Sequence, residues 1–127
     1  MPHLTIEYSS NVGEWADIDG LCDRLRRAAI ESGLFSSAGV RVRAICCRHY
    51  SIADGAEDRG FVDISVRLRG GRPHDARRRA TQMIFGAAED YLGEALESHP
   101  LALSLEMRDI DPSLSPKVSS LKKHVDP

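Results

Sequence analysis

Residues 61–73 read FVDISVRLRGGRP, a stretch that holds a strand, a turn and the start of a helix. Val62, Ile64, Val66 and Leu68 alternate with Phe61, Asp63, Ser65 and Arg67, and a period of two sets successive side chains on opposite faces of a strand. The RGGRP segment is a turn, and Pro73 suits a helix's first position, where the N–H it lacks would have no partner. A long helix is predicted next, because Ala76, Ala80, Met83, Ile84, Ala87, Tyr91, Leu92 and Ala95 keep helical register over about five turns, until SHP at 98–100 stops it. Leu101, Leu103, Leu105 and Met107 then alternate as a second strand.

Upstream, the same plan occurs once more. Leu4, Ile6 and Tyr8 alternate with His3, Thr5 and Glu7 in a strand that opens at Pro2, followed by the breaker-rich SSNVGEW. Asp17 is placed to cap a helix carrying Ile18, Leu21, Cys22, Leu25 and Ala29, which ends near Gly33. VRVRAICC, residues 40–47, reads as a strand, and SIADGAEDRG as a polar loop. The two halves begin about sixty residues apart. Each interstrand connection is long enough for a helical crossover, so each half is expected to be a right-handed parallel βαβ unit. The expectation is an α+β fold: one domain over 1–127, with a first βαβ half at 1–59, a second at 60–111 and an extended C-terminal arm at 112–127. The two units form a four-stranded sheet with both helices on one face. The other face then carries Thr5, Arg43, Ile45, Cys47, Phe61, Asp63, Ser65, Ala102 and Ser104, a mixture expected to be covered by other subunits.

Composition narrows the function classes. The chain has 127 residues, 42% hydrophobic and 28% charged, enough to bury a core without disulfides or a structural metal. Its net charge of −2 supplies no general attraction to nucleic acid or anionic lipid, so a charged ligand must be met by a local cluster. Arg77, Arg78 and Arg79 lack aromatic interleaving and do not read as a nucleic-acid surface. Three cysteines, Cys22, Cys46 and Cys47, make no disulfide framework, and five scattered histidines show no metal-ligand spacing. GxGxxG, GxxxxGK and GxSxG are absent. No signal-peptide pattern opens the chain and no run of eighteen apolar residues occurs, so a cytoplasmic protein without membrane contact is expected.

Two features carry chemistry. Pro2 is small enough for Met1 to be removed, which would leave a rigid secondary amine at the terminus. Ordinary α-amino groups titrate at about 8, and nearby arginines or a dry pocket lower that value toward the range useful for proton shuttling. The structural alternative is a proline that merely opens a strand. The second feature is the arginines: Arg41 and Arg43 at the start of a strand, and Arg72 in the Gly-Gly-Arg-Pro turn. Guanidinium forks fix a carboxylate by two parallel N–H bonds, although exposed arginines also simply solvate a rim.

The segments MPHLTIEYSSNV, GLFSSAGVRVRA, SIADG, FVDISVRLRGGR and LALSLEMRDIDPSLSPK, in this order and spacing, resemble the 5-carboxymethyl-2-hydroxymuconate isomerase family of the tautomerase superfamily. The similarity spans nearly the whole chain. It implies a tautomerase-like fold and a homotrimer with active sites near subunit boundaries. It also implies a cofactor-independent keto-enol isomerisation of 5-carboxymethyl-2-hydroxymuconate, a small polycarboxylate, to its 2-oxo form in homoprotocatechuate degradation. By position, Pro2 matches the family's catalytic amine and Arg41 and Arg72 its two substrate-site arginines, with Arg43 a further substrate-binding candidate. Rim residues around Tyr50 and in the loop from Asp54 to Arg59 bear on substrate choice. The competing readings are a superfamily enzyme acting on another enol acid, a hydratase-like dehalogenase, for which no water-activating constellation is evident, and a non-catalytic trimeric anion-binding module.

Overall fold

A computed structural model describes residues 2–125. In chain order the elements are β1 (His3–Ser9), α1 (Val12–Trp15), α2 (Ile18–Glu31), β2 (Arg41–Cys47), β3 (Gly60–Arg69), α3 (His74–Tyr91), α4 (Gly93–Ser98) and β4 (Leu101–Ile110). The four strands form one sheet in the order β2-β1-β3-β4. β1 pairs in parallel with β2, β3 in parallel with β4, and the central pair β1–β3 is antiparallel. The fold is therefore α+β, with a mixed sheet assembled from two strand–helix–strand units.

The alternation read from the sequence explains which face is covered. Leu4 and Ile6 of β1 and Val62, Ile64, Val66 and Leu68 of β3 are fully buried, beneath Leu21 and Leu25 of α2 and Ile84 and Ala88 of α3. Each such aliphatic side chain removed from water contributes about 1.5–3 kcal/mol, so the two central strands anchor the fold. The cross-strand register His3↔Arg41, Thr5↔Arg43 and Glu7↔Ile45, with Thr5↔Ser65 and Asp63↔Ser104, puts these residues on the opposite, helix-free face. That face is held by polar contacts such as Ser104 Oγ donating to Asp63 at 2.6 Å, and it leaves Ile45 49% exposed.

Several local expectations are corrected. The stretch read only as breakers holds α1 and a buried polar junction. Ser9 Oγ donates to Asn11 Oδ1 at 2.7 Å and accepts from the Phe61 N–H at 2.9 Å, while Asn11 Nδ2 donates to the Arg59 carbonyl at 2.7 Å. Asp17 does take the N-cap position of α2, but its carboxylate makes no capping bond. Its carbonyl is the group in use, accepting from the Leu21 N–H and from the Tyr91 hydroxyl at 2.7 Å. Pro73 lies one residue outside α3, in an extended conformation. The long second helix is broken into α3 and α4 at Leu92, ahead of Gly93 with its weak helix preference. Leu92 stays buried and the bonds Leu92 N to Ala88 O and Leu96 N to Leu92 O persist, which is why the apolar register runs unbroken through the joint. The arm after β4 is not extended throughout: it forms single 3-10 turns at Pro112–Leu114 and Leu121–Lys123. Among the described residues, no helix is long and apolar enough to cross a membrane.

Candidate active site

β1 and β2 start side by side, and that pairing fixes Pro2. The Arg41 N–H donates to the Pro2 carbonyl at 3.2 Å, and Pro2 is buried at the entry to β1. The loop leading into β2 passes so close to the pyrrolidine ring that a side chain on Gly39 would not fit freely. A Cβ there would lie 3.3 Å from Pro2 Cδ and 3.3 Å from Ser36 Oγ.

Pro2 opens onto a cleft of about 360 Å³ lined by Arg69, Arg72, Lys117 and Lys122, with Ser36 and Gly39 on the loop side. Arg72 reaches it because Gly71 takes a φ of +103°, a conformation that L side chains rarely adopt, and so reverses the chain after β3. The guanidinium is then pinned: Nε donates to the Leu34 carbonyl at 3.2 Å and Nη1 to the Arg69 carbonyl at 3.0 Å, with the group 5.9 Å from the centre of the Phe35 ring. Those bonds use two of its five N–H groups and leave Nη2 and the second N–H of Nη1 for a ligand.

The other two arginines singled out by sequence lie apart from this cleft lining. Arg41 stands beside it at the start of β2, where its Nη1 donates to the Gly39 carbonyl at 3.2 Å. Arg43 sits on the helix-free face, 3.3 Å from His3 Nδ1. Burial, followed by the charges of Arg67, Arg43 and Arg41, holds His3 below the usual histidine range, so the imidazole is neutral at neutral pH and its Nδ1 accepts from Arg43. Thus Pro2 and Arg72 meet in one cleft, Arg41 borders it, and Arg43, outside the cleft lining, contacts His3.

Sequence reasoning missed Arg69, Lys117 and Lys122. Arg69 was visible as the last residue of a strand, but the lysines carried no signal, because their place depends on the path of the arm rather than on local spacing. The loop from Tyr50 to Arg59 was expected to border the site. It leaves β2 at Cys47, beside the end of β1, whereas Pro2 lies at that strand's beginning. At about 3.3 Å per residue the two are roughly 20 Å apart within one chain. Arg59 clasps this loop through Asp54 at 3.0 Å and holds the Asp54 carboxyl below the usual range. Among the described residues, no group of three or more His, Cys, Asp or Glu side chains is placed to hold a metal ion, and Cys22, Cys46 and Cys47 are free thiols.

The arrangement is a buried N-terminal-strand proline facing a cation-lined cleft with no acidic side chain in its wall. Such a site binds anions and, given a free proline amine, moves protons on them. Comparison with known proteins points the same way. Residues 2–125 match the family model described as CHMI, 5-carboxymethyl-2-hydroxymuconate isomerase. The chain is 31% identical, over 95% of its length and 96% of the relative's, to the 5-carboxymethyl-2-hydroxymuconate Delta-isomerase of Escherichia coli. It superposes with a TM-score of 0.91 and 29% identity on a crystal structure of 5-carboxymethyl-2-hydroxymuconate delta-isomerase, covering 98% of this chain and 92% of the other. A crystal structure of a 5-carboxymethyl-2-hydroxymuconate isomerase from Deinococcus radiodurans R1 matches with a TM-score of 0.89 and 25% identity, over 97% and 92% of the two chains.

Proposed function

The chain belongs to the 5-carboxymethyl-2-hydroxymuconate isomerase family, and from that membership we propose how its residues carry out the reaction. The enzyme is a 5-carboxymethyl-2-hydroxymuconate delta-isomerase, a tautomerase of aromatic catabolism. In our reading, removal of Met1 frees the Pro2 nitrogen as a secondary amine. That amine takes the proton of the substrate's 2-hydroxyl group. The electron pair collapses to a C2 carbonyl, the double bonds shift into conjugation with it, and the protonated amine returns a proton to carbon. One proton leaves oxygen and one arrives on carbon, so no cofactor is required by the balance. The cations around the cleft disfavour a further positive charge beside them, which favours the unprotonated amine over its ammonium form. Arg72, pinned by two backbone carbonyls and an aromatic ring, offers its remaining N–H groups to a substrate carboxylate and draws the developing charge toward it. Arg41 grips a second carboxylate from the rim.

The assembly belongs to the same proposal. The helix-free face, with Ile45 half exposed amid Thr5, Arg43, Ser65 and Ser104, fits a homotrimer in which neighbouring sheets cover one another. The boundary between subunits then passes close to Pro2, and Arg43 acts there as a further contact to substrate or neighbour. We take residues 1–59 and 60–111 to be the two halves of one domain, with 112–127 its arm. Free thiols at Cys22, Cys46 and Cys47 fit a reducing cytoplasmic compartment, and homoprotocatechuate degradation is the route that generates such a ring-cleavage product.

The observation that carries the proposal is the meeting of Pro2 and Arg72 in one cation-lined cleft. The test is ultraviolet-monitored ketonisation of 5-carboxymethyl-2-hydroxymuconate by protein whose intact mass shows Met1 gone. Pro2→Ala is expected to lower kcat by about a hundredfold or more while leaving substrate-analogue binding in place. Unaltered turnover by that variant rejects the proline mechanism and assigns the proton transfer to another group.

A further inference from the structure

We propose that the C-terminal arm is a specificity strap: Lys117 and Lys122 together bind the carboxylate left beyond those held by Arg72 and Arg41, and so select a polycarboxylate over enol acids bearing a single carboxylate. The inference rests on Pro2 being the catalytic amine and extends that reading to the choice of substrate.

The path of the arm places these lysines. At the end of β4, the Gly70 N–H donates to the Ile110 carbonyl at 3.1 Å, tying the strand's last residue to the turn that carries Arg72. The Asp111 carboxylate then accepts from Ser113 N at 2.9 Å and Ser113 Oγ at 2.6 Å, closing the turn over Pro112–Leu114. From there the chain crosses the Pro2 end of the sheet. Ser115, Pro116 and Lys117 wall a cavity of about 220 Å³ together with His3 and Arg69, and Lys117 goes on to line the Pro2 cleft with Lys122.

Charge indicates what the strap is for. No carboxylate lines either cavity, and among the described residues Arg69, Lys117 and Lys122 take part in none of the ion pairs. Four cations thus converge on one cleft of a chain whose net charge is −2. Like charges held together repel unless an anion sits among them, and one carboxylate on Arg72 leaves the lysines unmatched. A substrate with three carboxylates matches them. Lysine suits this use because its ammonium is a compact charge on a flexible stem, able to meet a carboxylate without dictating the angle of approach. The arm itself is exposed along its length, so its lysines are no part of this chain's core.

The test is the double variant Lys117→Met/Lys122→Met in the full chain, assayed with 5-carboxymethyl-2-hydroxymuconate and with phenylenolpyruvate, an enol acid with one carboxylate. Both lysines are exposed, so the variant is expected to fold normally. KM for the tricarboxylate is expected to rise by about tenfold or more, several times more than KM for the one-carboxylate enol, with kcat changed less than KM in both cases. The dependence of the tricarboxylate KM on ionic strength is expected to flatten. Equal shifts for the two substrates, or no shift for the tricarboxylate, overturn the strap. Pro2→Ala run alongside separates the failures. If that variant loses turnover of both substrates while the lysine variant does not discriminate, the strap alone falls; if it keeps turnover, the proline reading falls and the strap with it.

Discussion

Gly39 shows how finely the placement of Pro2 depends on a single residue. Its missing side chain leaves room for Pro2 Cδ and Ser36 Oγ, each 3.3 Å from where a Cβ would stand. Gly39→Ala must push one of them aside by a few tenths of an ångström. Because Cδ is bonded to the nitrogen that we propose handles the proton, the expected result is a kcat lowered by about tenfold with little change in thermal stability. A kcat equal to that of the parent enzyme would show that Ser36 yields instead and that the ring keeps its place. Of the residues proposed for the site, Pro2, Arg41 and Arg72 were candidates from the sequence, each standing at a strand start or in a glycine turn. The role of Gly39 was not legible there, since nothing local indicates that its neighbour in space is residue 2.

At the scale of elements, the strands and the helix faces followed from alternation and helical spacing, but the joints between them did not. The junction of β1 and β3 is made by Ser9, fully buried, whose hydroxyl both accepts from the Phe61 N–H and donates to Asn11. Ser9→Ala leaves a backbone donor without its partner in a dry setting and is expected to cost about 1–3 kcal/mol, read as a lower midpoint in urea with an unchanged slope. An unchanged midpoint would mean that water replaces the hydroxyl. The sequence reading took this stretch for a breaker because serine and asparagine favour turns; what it could not see is a partner 52 residues away. The break at Leu92 was hidden for a different reason: the apolar pattern runs on across the joint, although Gly93 stands just beyond it.

For the whole molecule, the helix-free face decides whether the site is complete in one chain or shared. Ile45 is a large apolar side chain, 49% exposed on that face. Under the trimer proposal, Ile45→Asp buries a charge in an interface and is expected to shift the sedimenting species from three chains to one, with turnover falling in step. A variant that still sediments as the parent does would place the interface elsewhere. What the sequence by itself determined is everything governed by near neighbours along the chain: four strands from a period of two, helices from a period of 3.6, the repeated half, and the candidate proline and arginines. Only the tertiary structure decided which distant groups share a space. It set β1 against β3 as the antiparallel centre, carried Lys117 and Lys122 across to Pro2, turned Arg43 toward His3, and sent the Tyr50–Arg59 loop to the far end of the sheet. The physical reason is that periodicity is imposed by the local geometry of the backbone, whereas these meetings depend on how the sheet pairs and where the arm travels, which no short window of residues encodes.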